Sequence, residues 1–440
     1  MLNEQGHERT DTDTPTAKDA DRAWRGAFRV LWSATVVSRF GDGLRKTAVP
    51  LLAASLTSSP FLFSLVSVVN YLPWLLFGMA GGAVADRVDR QTAMWVTDLL
   101  RGALGCVLAV LVATGHAGMG ALMLVGFALS SLQTLFDSAS TSMLPSVVPA
   151  DELTVANGRL SVARTIAETL VGAAVAATLF GAAPSLPFLL DAVSFLAAGI
   201  LVLRLRLPPS SRTGADRRRA SGSLRQEIGE GLAWLGRDAQ VRTVCGTAWI
   251  ASTGMGAYGS TLVLQLTRSM HTPVGLYGVV MAGAGVGGLI GGLAAARVTR
   301  ALGTRRTLGS SLLACGTGVA MLAVCPDYRV AALLLAVVYC GFMVWNANET
   351  TVLQQRVPDD LRGRVFAANH TLNVVSLPVG ALLGGVTAEH FSLAAPDLVG
   401  GALLLGGVLP IWRLTSLDSP ADGVEPSAGP LEPGTAPPET

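Results

Sequence analysis

Residues 81–90 read GGAVADRVDR and residues 291–300 read GGLAAARVTR, identical at six of ten positions across an offset of 210 residues. The register recurs elsewhere: Leu56-Thr57 returns as Leu266-Thr267, and Val148-Pro149 as Val357-Pro358. In a chain of 440 residues such an offset means two related halves. Each copy is read as the point where a long apolar run breaks into a short arginine-bearing loop. What is duplicated is therefore a set of apolar segments.

Half the residues are hydrophobic and only 14% are charged, too apolar for a water-soluble chain of this length. A bilayer core needs about 20 apolar residues per helix. Runs of that kind lie at 27–55, 61–85, 92–114, 118–142, 157–181 and 184–206, then at 241–266, 274–296, 306–325, 329–350, 364–388 and 394–414. The expected fold is an all-α membrane protein of twelve transmembrane helices, arranged as two six-helix bundles related as parallel repeats. The expected layout is a disordered tail at 1–26, a bundle at 27–206, a loop at 207–240, a second bundle at 241–415 and a disordered tail at 416–440. Residues 1–24 lack the basic-then-apolar opening of a cleavable signal peptide.

Arginine placement orients the chain. With the N-terminus cytoplasmic, the inner loops carry Arg87 and Arg90, Arg204 through Arg225, Arg297 to Arg306 and Arg356 to Arg364. The opposite loops hold little beyond Arg268 and Arg329, so both termini are expected to be cytoplasmic. Within 207–240, Leu224, Ile228, Leu232 and Leu235 share one helical face, suiting a helix that lies on the inner leaflet beside the basic cluster Arg217-Arg218-Arg219.

GGAVADRVDR resembles the cytoplasmic loop signature of the major facilitator superfamily, Gly-x-x-x-Asp-Arg-x-Gly-Arg-Arg/Lys. Gly82, Asp86, Arg87 and Arg90 match; Asp89 and Gln91 depart from it. The second copy keeps Gly292, Arg297 and Arg300 but has Ala296 where the acid belongs. SRFGDGLRKTAVPLLAASLTSSP (38–60), LPSVVPADELTVANGRL (144–160) and VPDDLRGRV (357–365) are similar to the branch containing bacterial drug, macrolide and siderophore exporters. The resemblance implies alternating access in the plasma membrane, with a small amphipathic compound moving outward in exchange for protons. It implies no cofactor, metal, nucleic acid or covalent chemistry, and a monomer. Gly82, Asp86, Arg87, Arg90, Arg297 and Arg300 would form a cytoplasmic gating latch, with Asp98 as a possible partner; the plainer alternative makes Arg87 and Arg90 topology determinants only. Two other readings stay open: a proton symporter or facilitator importing a nutrient, and a non-transporting receptor or scaffold acting through 207–240.

Ionisable groups at bilayer depth are costly and usually functional. Span one holds Arg39, Asp42, Arg45 and Lys46; spacings of three and four put Arg39, Asp42 and Lys46 on one face. Gly41 and Gly43 flank Asp42 and are expected to loosen the helix there. Asp42 is the leading proton-coupling candidate, against a permanently paired structural salt bridge. Glu168, four residues after Arg164, is the second. Asp137, Trp249, Asn346, His370 and Asn373 are cavity candidates; Asp191 is a weaker one, and Asn348, Glu349 and Asn369 add polarity to the second half. Gly283-Ala284-Gly285-Val286-Gly287-Gly288 contains GxGxxG inside an apolar run, which reads as helix packing rather than a nucleotide loop.

Overall fold

The computed structural model describes residues 17–77, 89–205 and 224–414, which are helical apart from short connections and contain no strand. Residues 1–16 of the expected tail 1–26, the expected tail 416–440, the stretch 206–223 and residues 81–88 of the first motif copy, with Gly82, Asp86 and Arg87, lie outside the described residues, whereas residues 17–26, expected to be disordered, are the first turns of a helix that continues through the first span. Helical segments lie over the described part of every expected span, the second span being described only as far as Phe77. Nine helical stretches among the described residues are long and apolar enough to cross a membrane. Besides the short helix Leu224–Arg237, the longer described helices outside that nine are those at Ala17–Leu56, Ala239–Leu264 and Thr304–Leu322. Buried charges dilute the first, and Gly, Ser and Thr dilute the other two. Mid-helix Leu124, Leu293 and Leu333 are 67–71% exposed, as expected of side chains facing lipid. The chain divides into two compact units: 1–220 with 266–282, and 221–265 with 283–440.

The first unit contains α1 (Ala17–Leu56), α2 (Pro60–Phe77), α3 (Arg90–Ala113), α4 (Met119–Val147), α5 (Leu153–Arg164), a π-helical stretch Thr165–Gly172, α6 (Ala173–Ala182) and α7 (Leu186–Leu203). Proline at the first position starts α2, and Ser59 Oγ accepts the Leu62 N–H at 3.2 Å. The free carbonyls where α1 ends are met from within the same unit: the Arg268 guanidinium donates to Ala54 O, Thr57 O and Ser58 O at 2.7–3.1 Å. Asp89 caps α3 by accepting the Thr92 N–H at 2.9 Å. Arg90 donates to Ser142 O at 2.9 Å and Ser146 Oγ at 3.2 Å, so it holds the end of α4.

Expected loosening at Gly41 and Gly43 does not occur. α1 runs through both as unbroken α-helix, because both glycines serve close packing. A Cβ on Gly43 would collide with the Glu168 carbonyl, and one on Gly41 would collide with Ser194 Oγ on α7.

The second unit contains α8 (Leu224–Arg237), α9 (Ala239–Leu264), the main part of α10 (Val274–Leu302), α11 (Thr304–Leu322), α12 (Tyr328–Arg356), α13 (Asp359–His390), α14 (Ala395–Gly406) and α15 (Val408–Arg413). GGLAAARVTR at 291–300 is helix throughout, not loop. Alanines favour continuation, and the helix stops only at Gly303, whose φ of +79° is the left-handed conformation glycine tolerates. A Cβ on Gly287 of the GxGxxG segment would collide with Ala336 O of α12, and one on Gly291, at the start of the second motif copy, with Cys340 O, so these glycines set helix contact. On α8, Leu235 is buried with Val241, Cys245, Leu353 and Val365, and Glu230 pairs with Arg364 of α13 at 2.8 Å. Leu232 stays exposed, so the helix is anchored on its own unit through one end of the expected apolar face.

Candidate functional site

Inside the first unit, α1, α3, α4 and α7 bring together charges from four separate stretches of sequence. Asp42 on α1 is fully buried and is the hub. It pairs with Arg39 at 3.4 Å, with Arg45 at 3.0 Å, and with Arg101 from α3. Arg39 also pairs with Asp137 on α4. Arg101 reaches Asp98 at 3.2 Å, Ser38 Oγ at 3.4 Å and the Gln133 amide oxygen. Gln133 Nε2 returns to both Asp137 oxygens at 3.1 Å. A chain of contacts therefore runs Asp137–Arg39–Asp42–Arg101–Asp98, cross-braced by Gln133.

Aromatic rings close the cluster. The Arg101 guanidinium carbon stands 3.7 Å from the Phe195 ring centroid and 5.6 Å from that of Phe136, a cation–π arrangement on a desolvated charge. Asp191 on α7 is 1% exposed, and neither carboxyl oxygen has a hydrogen-bond partner. The Nε atoms of Arg39, Arg45 and Arg101 are also buried without partners. The cluster thus retains unused donors and acceptors from which alternative pairings could form.

Lys46 does not pair with Asp42, although it shares a helical face with it. Its ammonium reaches Glu168 on the π-helical stretch, and Arg164 meets the same carboxylate at 3.4 Å. Glu168 is only 11% exposed while Lys46 and Arg164 are 56% and 50% exposed, so this is a peripheral site separate from the hub. The partners of Asp42 come instead from its own helix, three residues to either side, and from α3. Asp98 is buried and bound to Arg101 and Ser38. Sequence reasoning missed Arg101 and Gln133. Asp98 and Arg101, three apart within one apolar run, and Gln133 four before Asp137, were the available signals.

The second unit holds a softer polar strip. Asn373 Oδ1 accepts from Ser252 Oγ at 2.8 Å and its amide nitrogen donates to Asn369 O at 3.0 Å. Asn369 Nδ2 donates to Glu349 Oε1 at 2.9 Å, and Trp345 Nε1 donates to Glu349 Oε2 at 3.1 Å. Trp249 Nε1 is buried with no partner, His370 is exposed, and Asn346 is half-buried. Of the cavity candidates in this half, only Asn373 joins the strip through a hydrogen bond. Arg297 and Arg300 are exposed on the last turns of α10, where Arg300 Nε donates to Ala296 O of its own helix at 3.3 Å. Asp397, at the start of α14, is fully buried.

Membrane-length apolar helices, buried intramembrane charges and two compact helical units define a multi-pass membrane protein. The chain belongs to the transmembrane secretion effector family of the major facilitator superfamily, whose family model matches residues 23–431. It is 24% identical over 396 residues to macrolide efflux protein A of Streptococcus pyogenes, covering 87% of this chain and 94% of that protein. It is 26% identical over 408 residues to the multidrug efflux pump Tap of Mycolicibacterium fortuitum, covering 90% and 98%. Among solved structures, a bacterial homologue of the iron transporter ferroportin in its inward-facing state superposes with a TM-score of 0.68 at 17% identity, covering 88% of this chain and 98% of that one. The nucleoside transporter NupG, as its D323A mutant, gives 0.67 at 12% identity, covering 87% and 98%. The protein is a secondary transporter with a small-molecule substrate.

Proposed function

We propose that this transporter exports a small amphipathic compound in exchange for protons, with the Asp42 cluster as the proton-handling centre. One observation carries the reading. Among the groups enclosed by α1, α3, α4 and α7, four carboxyl groups (Asp42, Asp98, Asp137 and Asp191) face three guanidinium groups (Arg39, Arg45 and Arg101), so the enclosed acids outnumber the enclosed cations by one, and the balancing charges of Lys46 and Arg164 lie at the exposed edge beside Glu168. Uncompensated charge at bilayer depth is expensive, and a single proton removes the deficit. Protonating Asp42 would release three cations at once, and the unused acceptors of Asp191 and Asp98 are the groups to receive them. Repairing of this kind can bias a two-state carrier. Inward movement of one proton gains about 2.3 kcal/mol per 100 mV, an adequate drive for antiport.

Outward direction is supported by the relatives, whose names describe efflux proteins. Both termini are placed in the cytoplasm by the arginine bias, and Glu168 is a second, peripheral candidate for proton or cation binding. The test is flux in everted vesicles under an imposed pH gradient. Asp42→Asn should insert normally and still bind substrate, but lose gradient-driven flux. Undiminished coupled transport in that variant removes Asp42 from the role, and accumulation in right-side-out vesicles reverses the direction.

A further inference from the structure

A groove on the first unit takes no part in the charge cluster. It lies between α1 and the rod formed by α5 and the π-helical stretch, has a volume of about 460 Å³, and is walled by Trp32, Val162, Ala163 and Ile166. Gly158 leaves one end open, since a Cβ there would meet nothing within 4 Å. Arg159 is the one charged side chain in the lining. Phe28 and Leu31 of α1 share a buried cluster with Ala156 of α5, and Leu160 packs against it, so the two helices run level here. Arg29, one turn before Trp32 on the same face, therefore stands at the height of Arg159. Both arginines are exposed. Among the described residues neither guanidinium has an ion pair or hydrogen bond, whereas Arg39, Arg45, Arg101 and Arg164 all meet carboxylates. Measured from the inner ends of the expected spans, Arg159 lies about 3 Å deep, Trp32 about 8 Å and Ile166 about 14 Å. The groove is thus positive at the interface and apolar further in.

We propose that this groove is a resident site for an anionic phospholipid of the inner leaflet, with one acyl chain along Trp32, Ala163 and Ile166 and the phosphate between Arg29 and Arg159. A drug-sized ligand is held by several convergent polar groups, and the lining has no charged group beyond one guanidinium. A hydrocarbon chain needs none. Its headgroup phosphate suits two guanidinium groups offered from neighbouring helices. Basic pockets between transmembrane helices at the inner face hold anionic headgroups in the same way, and an indole is favoured at that depth. The lipid neutralises two arginines that face no protein acid, and it fastens α1 to α5 about two turns before the Lys46–Glu168 contact does so again. The site stands apart from the Asp42 cluster and does not depend on what the carrier moves.

The test titrates dioleoyl phosphatidylglycerol and dioleoyl phosphatidylcholine against the purified full chain in detergent, with bound lipids counted by native mass spectrometry. One phosphatidylglycerol should bind roughly tenfold or more tighter than phosphatidylcholine, each arginine beside the headgroup contributing about fivefold. Arg29→Gln and Arg159→Gln should each remove one such factor, and the double variant should abolish the preference. Arg204→Gln, at the inner end of α7 and outside the groove, should leave it unchanged. Gly158→Leu fills the groove from an open position and should remove tight binding while melting like the wild type, which separates loss of the site from loss of the fold. Equal affinity for the two lipids in the wild type overturns the proposal, as does a preference that survives the double variant or Gly158→Leu. Equal losses in Arg204→Gln and Arg159→Gln show general surface charge and overturn it too. A fluorescent phosphatidylglycerol that crosses the bilayer faster in proteoliposomes than in empty vesicles, with the excess lost in Arg159→Gln, makes the lipid a cargo, and the resident-lipid proposal then fails.

Discussion

Arg101 on α3 and Asp42 on α1 form an ion pair across 59 residues of sequence, and both side chains are sealed from solvent. The same guanidinium contacts Asp98, Gln133 and Ser38 and lies over Phe195, so almost its whole surface is in specific contact. Buried pairs of this kind are not strong because charges attract; desolvation offsets most of that attraction. What they impose is a large cost for removing one member alone.

Arg101→Leu should therefore lower stability by about 3–5 kcal/mol, because it leaves two buried carboxyls short of a cation. Arg101→Lys should recover little, since an ammonium cannot reproduce the planar fork lying between acids and ring. Thermal unfolding of the detergent-solubilised protein, followed by intrinsic fluorescence, measures both. Wild-type-like melting of Arg101→Leu would contradict the account.

Gly43 makes a contact that no side chain can occupy. Gly43→Ala should destabilise by about 1–3 kcal/mol, because the Cβ meets Glu168 backbone rather than a movable side chain. Gly26→Ala, with nothing within 4 Å of the added methyl, is the control and should melt like the wild type or slightly above it. Parallel melting curves for the two variants decide the matter.

Lys46 and Glu168 should couple weakly despite direct contact. The lysine is more than half exposed, and pairs of that kind contribute about 0–1 kcal/mol. A double-mutant cycle with Lys46→Met and Glu168→Gln gives the coupling energy. A value matching that of the Arg101–Asp42 pair would mean that the lysine is far less hydrated than its exposure indicates.

Arg268 satisfies three carbonyls where α1 ends. Arg268→Gln should cost about 1 kcal/mol, combining partly exposed hydrogen bonds with a charge placed at a helix C-terminus. Hydrogen exchange of amides near the end of α1 should accelerate roughly fivefold while the rest of that helix is unchanged. Uniform acceleration along α1 would indicate global loosening instead.

Much of this was legible in the sequence. Asp42 stood out because an aspartate between glycines within an apolar run is costly there, and it is buried, as are Asp98, Asp191 and Asp397, which the sequence marked less clearly. Arg164 and Glu168 meet as their four-residue spacing suggests. Other relationships were not legible, for physical reasons. Helical periodicity puts Lys46 beside Asp42, but periodicity ranks only neighbours on one helix. The partner Glu168 comes from another helix 122 residues away. Gly41 and Gly43 were read for their backbone freedom when their function is their missing Cβ, a property visible only once a second helix is in place. At 291–300 the resemblance to a loop signature outweighed helix propensity, yet Ala294, Ala295 and Ala296 carry the helix to Gly303.

The π-helical stretch Thr165–Gly172 has one consequence for how this chain can vary. A π turn accommodates a surplus residue, so its loss would return the rod to regular α pitch and swing every later side chain of that rod about 100° around the axis. Glu168 would leave Lys46, and Gly172 would no longer present its bare edge to Gly43. A single-codon deletion here should therefore be far more damaging than most point substitutions in the same segment, while a compensating insertion one turn later would re-index the rod and restore it.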